Sequence, residues 1–216
     1  MRKIWLALFA AVSVAASAAS AASLGAAPLP GTSGKVLAIT KSDRILGKPD
    51  APVTIIEYAS LSCPHCADFD LHTLPTIKKD WIDSGKAKLI LRDFPLNEPA
   101  VEAAMLAHCA PRNRFYAFVN ALFGSQPQWV LARDTRAALT RVAKLGGMDE
   151  KEVKQCFANK PLENRILESR LVAGKDLGVD ATPTFFINGT KFAGEPPNAG
   201  AFEKLLKTAE AKAAKG

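Results

Sequence analysis

Apolar positions along this chain follow two different periods. In "APVTIIEYAS" the β-branched run Val53 to Ile56 reads as a buried strand. From Cys63 to about Asp83 the spacing changes, and Phe69, Leu71, Leu74, Ile77, Trp81 and Ile82 form one apolar stripe of a helix. Ser62 is placed to cap that helix, and Pro64 fits its first turn, where a missing N–H costs nothing. Pro75 falls inside the pattern and is expected to kink it. "SGKAK" ends the helix and "KLILRDFPL" resumes as a strand, so the order is that of a right-handed parallel crossover.

The region from Pro99 to Gly178 is rich in Ala and Leu. It predicts four or five helices separated by "APRN", "GSQPQ", "LGGMD" and "NKPLEN". Met105, Phe115, Phe118, Leu122, Phe123 and Trp129 lie at helical spacing there and read as core rather than as a cofactor box. "ATPTFFINGTKFAG" then predicts a hairpin turning at Asn188-Gly189, since both turn positions need positive φ. "NAGAFEKLLKTAEAKAAKG" closes the chain as an amphipathic helix. The whole order is β-α-β, a helical block, then β-β-α, an α/β chain without internal repeats.

What precedes this pattern has a different character. "MRKIWLALFAAVSVAASAASAAS" places Arg2 and Lys3 before an apolar run and small residues after it, the anatomy of a secretory signal peptide over residues 1–22. The strongly apolar part is short of the ~20 residues that span a bilayer. Residues 23–35, mixing Gly, Pro, Ser and Ala, read as a flexible linker. The formal charge of +7 falls to +5 once Arg2 and Lys3 are removed with the leader. Its lysines and arginines are interleaved with acids rather than gathered in a stripe, which argues against nucleic acid as a partner.

Export changes the meaning of the four cysteines, Cys63, Cys66, Cys109 and Cys156, because disulfides persist outside the cytosol. "CPHC" follows a strand and opens a helix. At a helix N-terminus the unpaired N–H groups and the dipole favour a thiolate on Cys63, and cysteines of such motifs have pKa values lowered into a range of roughly 3.5 to 7.5. A protonated His65 close to the Cys63 sulfur would lower it further. Stabilising the thiolate stabilises the dithiol, which makes the Cys63–Cys66 disulfide an oxidant of other thiols. Metal is expected to be absent: tetrahedral zinc needs four ligands and this motif supplies two.

The stretches "EYASLSCPHC" and "VDATPTFFINGT", with a helical insertion between them, resemble the DsbA-like members of the thioredoxin superfamily over about Leu46 to Leu206. The resemblance implies a thioredoxin fold interrupted by a helical subdomain, with its first part over 36–98, the insertion over 99–178 and the second part over 179–216. It implies that Cys63 is the exposed attacking sulfur, Cys66 the buried resolving sulfur, and Pro64 and His65 part of the catalytic motif. Pro183 would be a cis-proline facing the disulfide, and Thr182 would contact substrate backbone. Glu57 would be the buried acid that moves the proton of Cys66; otherwise it is an exposed strand-end carboxylate. Cys109 and Cys156 would form a second, structural disulfide, or else remain two buried thiols.

The implied activity is a periplasmic dithiol oxidase that needs no cofactor and acts as a monomer. It would oxidise exported proteins and be reset by a membrane redox partner. The alternatives are an isomerase or reductase, since Thr rather than Val before the proline is common among those, and a thioredoxin-fold copper-handling protein using Cys63, His65 and Cys66 as soft ligands.

Overall fold

The computed structural model describes residues 32–214; the expected signal peptide and all of the linker before Thr32 lie outside the described residues. The end of the expected linker is not extended chain: Thr32–Val36 forms a short helix, α1, because Val36 and Leu37 have an apolar cluster to pack against. A sheet of five strands follows, ordered β1-β3-β2-β4-β5. Its members are β1 (Ile45–Leu46), β2 (Val53–Ala59), β3 (Ala87–Asp93), β4 (Thr184–Ile187) and β5 (Thr190–Ala193). β2 and β3 pair in parallel, with Ile55 opposite Leu89, while β1, β4 and β5 are antiparallel to their neighbours. The two-residue β1 carried no sequence signal.

Strand alternation assigns the two faces of the sheet. Val53, Ile55, Leu89, Phe185 and Ile187 face a layer holding Phe69, Ile77, Trp81, Phe202 and Leu206. Ile56, Tyr58, Ile90 and Phe186 face the opposite layer, which holds Ala173 and Leu177. Glu57 belongs by parity to the first face, an apolar place for a carboxylate.

The helix after CPHC is a composite. α2 (Pro64–Asp68) passes through a π turn, Phe69–Thr73, into α3 (Leu74–Ile77), and a second π turn, Lys78–Ile82, ends it. Pro75, expected to kink this helix, follows directly on a π turn, and the segment continues through it. The π turn ahead of it moves the Leu74 N–H onto the Phe69 carbonyl, so the wider turn takes up the misfit of the proline ring. Ser62 is not the N-cap: Cys63 occupies that position, without a side-chain cap, and Pro64 is the first helical residue.

Six α-helices, not four or five, form the block between β3 and β4. They are α4 (Glu98–Cys109), α5 (Phe115–Gly124), α6 (Gln126–Val130), α7 (Thr135–Leu145), α8 (Glu150–Phe157) and α9 (Lys160–Leu177). "GSQPQ" and "NKPLEN" looked like breaks, yet in each the proline occupies the first turn of a helix, α6 or α9. Asn159 caps α9, and Asp149 with Glu152 forms a capping box on α8. Met105, Phe115, Phe118, Leu122, Phe123 and Trp129 are all core of this block. The last helix, α10 (Ala199–Ala213), packs Phe202 and Leu206 beneath the sheet.

Candidate active site

β2 ends at Ala59 and the chain turns immediately into α2, which sets Cys63 at the junction. Its backbone is extended at φ −84° and ψ 122°, its N–H donates to the Ser60 carbonyl at 3.0 Å, and its carbonyl accepts from Ala67 at 3.1 Å. Across the junction lies the Thr182-Pro183 peptide, which is cis. The Cys63 thiol donates to the Thr182 carbonyl at 3.3 Å. That contact covers the sulfur: Cys63 is 4% exposed and Cys66 0%, so the attacking sulfur is not exposed as expected, only the less covered of the two. Both thiols are free.

The two sulfurs differ strongly in acidity. Cys63 is lowered from 9.0 to about 5, first by a hydrogen bond from the Cys66 thiol, then, against the opposing effect of burial, by the Thr182 side chain and the N–H groups of Cys66 and His65. The Thr182 hydroxyl has no partner while Cys63 is a thiol, so it is a donor held ready for the thiolate. Cys66 is pushed well above its ordinary value by burial, by donating to Cys63 and by the nearby Glu57 carboxylate.

Glu57 is 2% exposed, and its Oε1 has no hydrogen-bond partner. In register it lies between Leu91 and Phe185, neither of which offers a side-chain donor. Burial, with repulsion from Asp70 and Cys63, raises its pKa well above the ordinary value and favours its protonated form. It is thus a buried acid rather than an exposed strand-end carboxylate.

His65 stands differently from expectation. Its N–H helps the Cys63 thiolate, but the ring is largely exposed and binds Glu195 Oε2 through Nδ1 at 2.8 Å. The hydrogen bond to Glu195 and the field of Cys63 raise its pKa, so the imidazolium is favoured within reach of the thiolate without touching it.

Three further side chains belong to the site, and sequence reasoning passed over them. Asp70, on the first π turn, is buried, accepts from Asn120 of α5 at 2.9 Å and is raised to about 6 by burial. Glu195 follows β5, in a loop that only the fold brings to CPHC. Gln126 opens α6 and is buried; its Nε2 donates to the carbonyls of Leu61 at 2.8 Å and Cys63 at 3.0 Å, tying the helical block to the active-site turn. The signal available for Asp70 was its place beside Phe69 on an otherwise apolar face; for Gln126 and Glu195 there was none.

Away from the site, Cys109 at the end of α4 and Cys156 on α8 are joined as a disulfide, with Cα atoms 6.0 Å apart. Among the described residues no group of three or more His, Cys, Asp or Glu side chains could hold a metal ion, so the copper reading gains no support. No described helix is long and apolar enough to cross a membrane.

Comparison with known proteins fits this arrangement. A thioredoxin family model matches residues 39–208. A Rickettsia typhi chain whose name describes a protein-disulfide oxidoreductase is 35% identical over 155 residues, 71% of this chain and 57% of the relative. The disulfide bond formation protein D of Bacillus subtilis is 30% identical over 159 residues, 68% of each chain. The present chain thus spans under two thirds of the length of the Rickettsia relatives it matches. Among solved structures, Wolbachia pipientis alpha-DsbA1 superposes with a TM-score of 0.78 at 33% identity, covering 84% of this chain and 98% of that one. With the five-stranded sheet, the helical block and the CPHC turn in place, the chain belongs to the DsbA-like branch of the thioredoxin superfamily.

Proposed function

We propose that this chain is a bacterial envelope thiol–disulfide oxidoreductase that transfers the Cys63–Cys66 disulfide to exported proteins. One observation carries the reading: two neighbouring sulfurs at a strand-to-helix junction, one an easily formed thiolate and the other held as a thiol. A drop in the Cys63 pKa from 9.0 to about 5 favours its thiolate by roughly 5 kcal/mol, which poises the two-electron couple toward oxidation of other dithiols by on the order of 100 mV.

In the oxidised enzyme a substrate thiolate attacks Cys63 Sγ, forming a mixed disulfide and breaking the Cys63–Cys66 bond. The electron pair leaves on Cys66, whose buried thiolate needs a proton, and Glu57, whose protonated form burial favours, is the nearby donor. A second substrate thiolate then attacks the substrate sulfur of the mixed disulfide and expels Cys63 as its stabilised thiolate. Substrate loses two electrons and the enzyme gains them. A membrane redox partner would take them away again, and the enzyme would act as a monomer. Thr182 and Pro183 would hold the substrate backbone against Cys63.

The second reading, isomerase or reductase, rests on Thr182 standing where Val precedes the proline in the strong oxidants of the family; its unpartnered hydroxyl, as a donor to the Cys63 thiolate, acts in the direction of the oxidase. Its contribution, about 1 to 3 kcal/mol, is smaller than the whole stabilisation of the Cys63 thiolate. The oxidase reading therefore stands. Refolding separates the two: oxidised enzyme should form disulfides in a reduced multi-disulfide substrate. Efficient rescue of a scrambled substrate by reduced enzyme, with little oxidation, would instead establish the isomerase.

A further inference from the structure

Away from the active-site cysteines lies a groove of about 880 Å³ between the sheet and α4, α8 and α9, and its lining includes both Cys109 and Cys156. Their disulfide ties α4 to α8, so two walls of the groove are covalently fixed to each other.

Formal charge in this groove balances, four arginines against four carboxylates, but the pairing is uneven. Asp43 is paired with Arg92, Asp93 with His108, and Glu152, still charged, accepts from the Asp149 N–H in the α8 capping box. Three lining arginines, Arg44, Arg114 and Arg165, have no carboxylate partner among the described residues, against one unpaired lining carboxylate, Glu168. Arg44 donates only to the Ser42 carbonyl, at 2.9 Å, and its Nε is buried without a hydrogen-bond acceptor. Arg112, just behind, adds a fourth guanidinium; burial and repulsion from Arg112 and Arg165 together push the Arg44 pKa down. Like charges gathered around an orphaned buried donor are costly to the free protein, and guanidinium forks match carboxylate and phosphate oxygens in pairs.

We propose that this groove is a binding site for a small polyanion, a molecule bearing at least two carboxylate or phosphate groups. Arg44 and Arg165 supply the principal contacts, Arg114 flanks them, and Glu168 opposes binding. The site is separate from the redox chemistry, so its occupancy does not require the cysteines to turn over.

Isothermal titration of the full chain with citrate and, separately, inorganic phosphate tests this, at ionic strength held constant with chloride. The expected result is saturable one-to-one binding of at least one probe. Arg165→Gln, at an exposed position where folding is not at stake, should weaken it at least tenfold, and Glu168→Gln should tighten it. Binding of citrate alone assigns a polycarboxylate, and binding of phosphate alone a phosphoryl ligand. Thiol–disulfide exchange by Arg165→Gln should match wild type. No saturable heat with either probe, or affinity unchanged in Arg165→Gln, overturns the proposal.

Discussion

Replacing Gln126 with Leu tests how the helical block supports the active-site turn. Leu nearly fills the same space, so the change removes the amide rather than opening a large cavity. The Cys63 carbonyl keeps its bond from Ala67, whereas the Leu61 carbonyl loses the amide donor that reaches it from α6. One buried acceptor left unpaired costs about 1 to 3 kcal/mol, and we expect a loss near 2. The cation-like end of the amide dipole also leaves the N-cap carbonyl, so the Cys63 titration midpoint should rise, by less than one pH unit. Denaturant unfolding of reduced protein measures the first effect and thiolate absorbance against pH the second. Unchanged stability would refute the argument that this hydrogen bond anchors the turn, and a midpoint restored to that of a free thiol would mean that Gln126 governs Cys63 directly.

Three other perturbations follow from the geometry. Asp70 is raised to about 6, so the folded protein holds its proton in a range where the unfolded chain has lost it; its cost is absent below pH 4 and complete above about pH 6. Asp70→Asn should therefore stabilise the protein at pH 7, by on the order of 1 to 3 kcal/mol, and leave it unaltered at pH 3, as read by denaturant midpoints at the two pH values. Glu195→Gln replaces the charged acceptor that raises His65 with a neutral one, and the imidazole midpoint followed by NMR should fall toward 6.5; an unmoved midpoint would leave the Glu195 charge without influence on the site. Opening the Cys109–Cys156 bridge by double substitution to Ser should lower stability by up to about 4 kcal/mol in the chain-entropy model for a sequence separation of 47, while thiol–disulfide exchange persists.

The parts of the fold legible in sequence were those with strong local periods. Val53 to Ile56, the Asn188-Gly189 hairpin and the apolar stripe after CPHC needed only alternation, turn chemistry and helical spacing. Prolines misled where their context was a helix start: Pro127 and Pro161 sit in first turns, and Pro75 is absorbed by a π turn that no local pattern announces. Cys63, Cys66, Thr182 and Pro183 were found through motif resemblance. Glu57 could also have been placed by counting strand parity onto the covered face. Gln126, Glu195 and Asp70 act through contacts 50 to 130 residues away in sequence. Such pairs exist only once α6, α5 and the loop after β5 close over CPHC.

The measurement that bears most directly on the central claim is the pH titration of the two thiols in the reduced protein, by thiolate absorbance and residue-resolved alkylation. The account predicts a single early transition near pH 5, belonging to Cys63, with Cys66 unreactive until well above pH 9. Two sulfurs titrating together near the value of a free thiol, about 8.5, would contradict it.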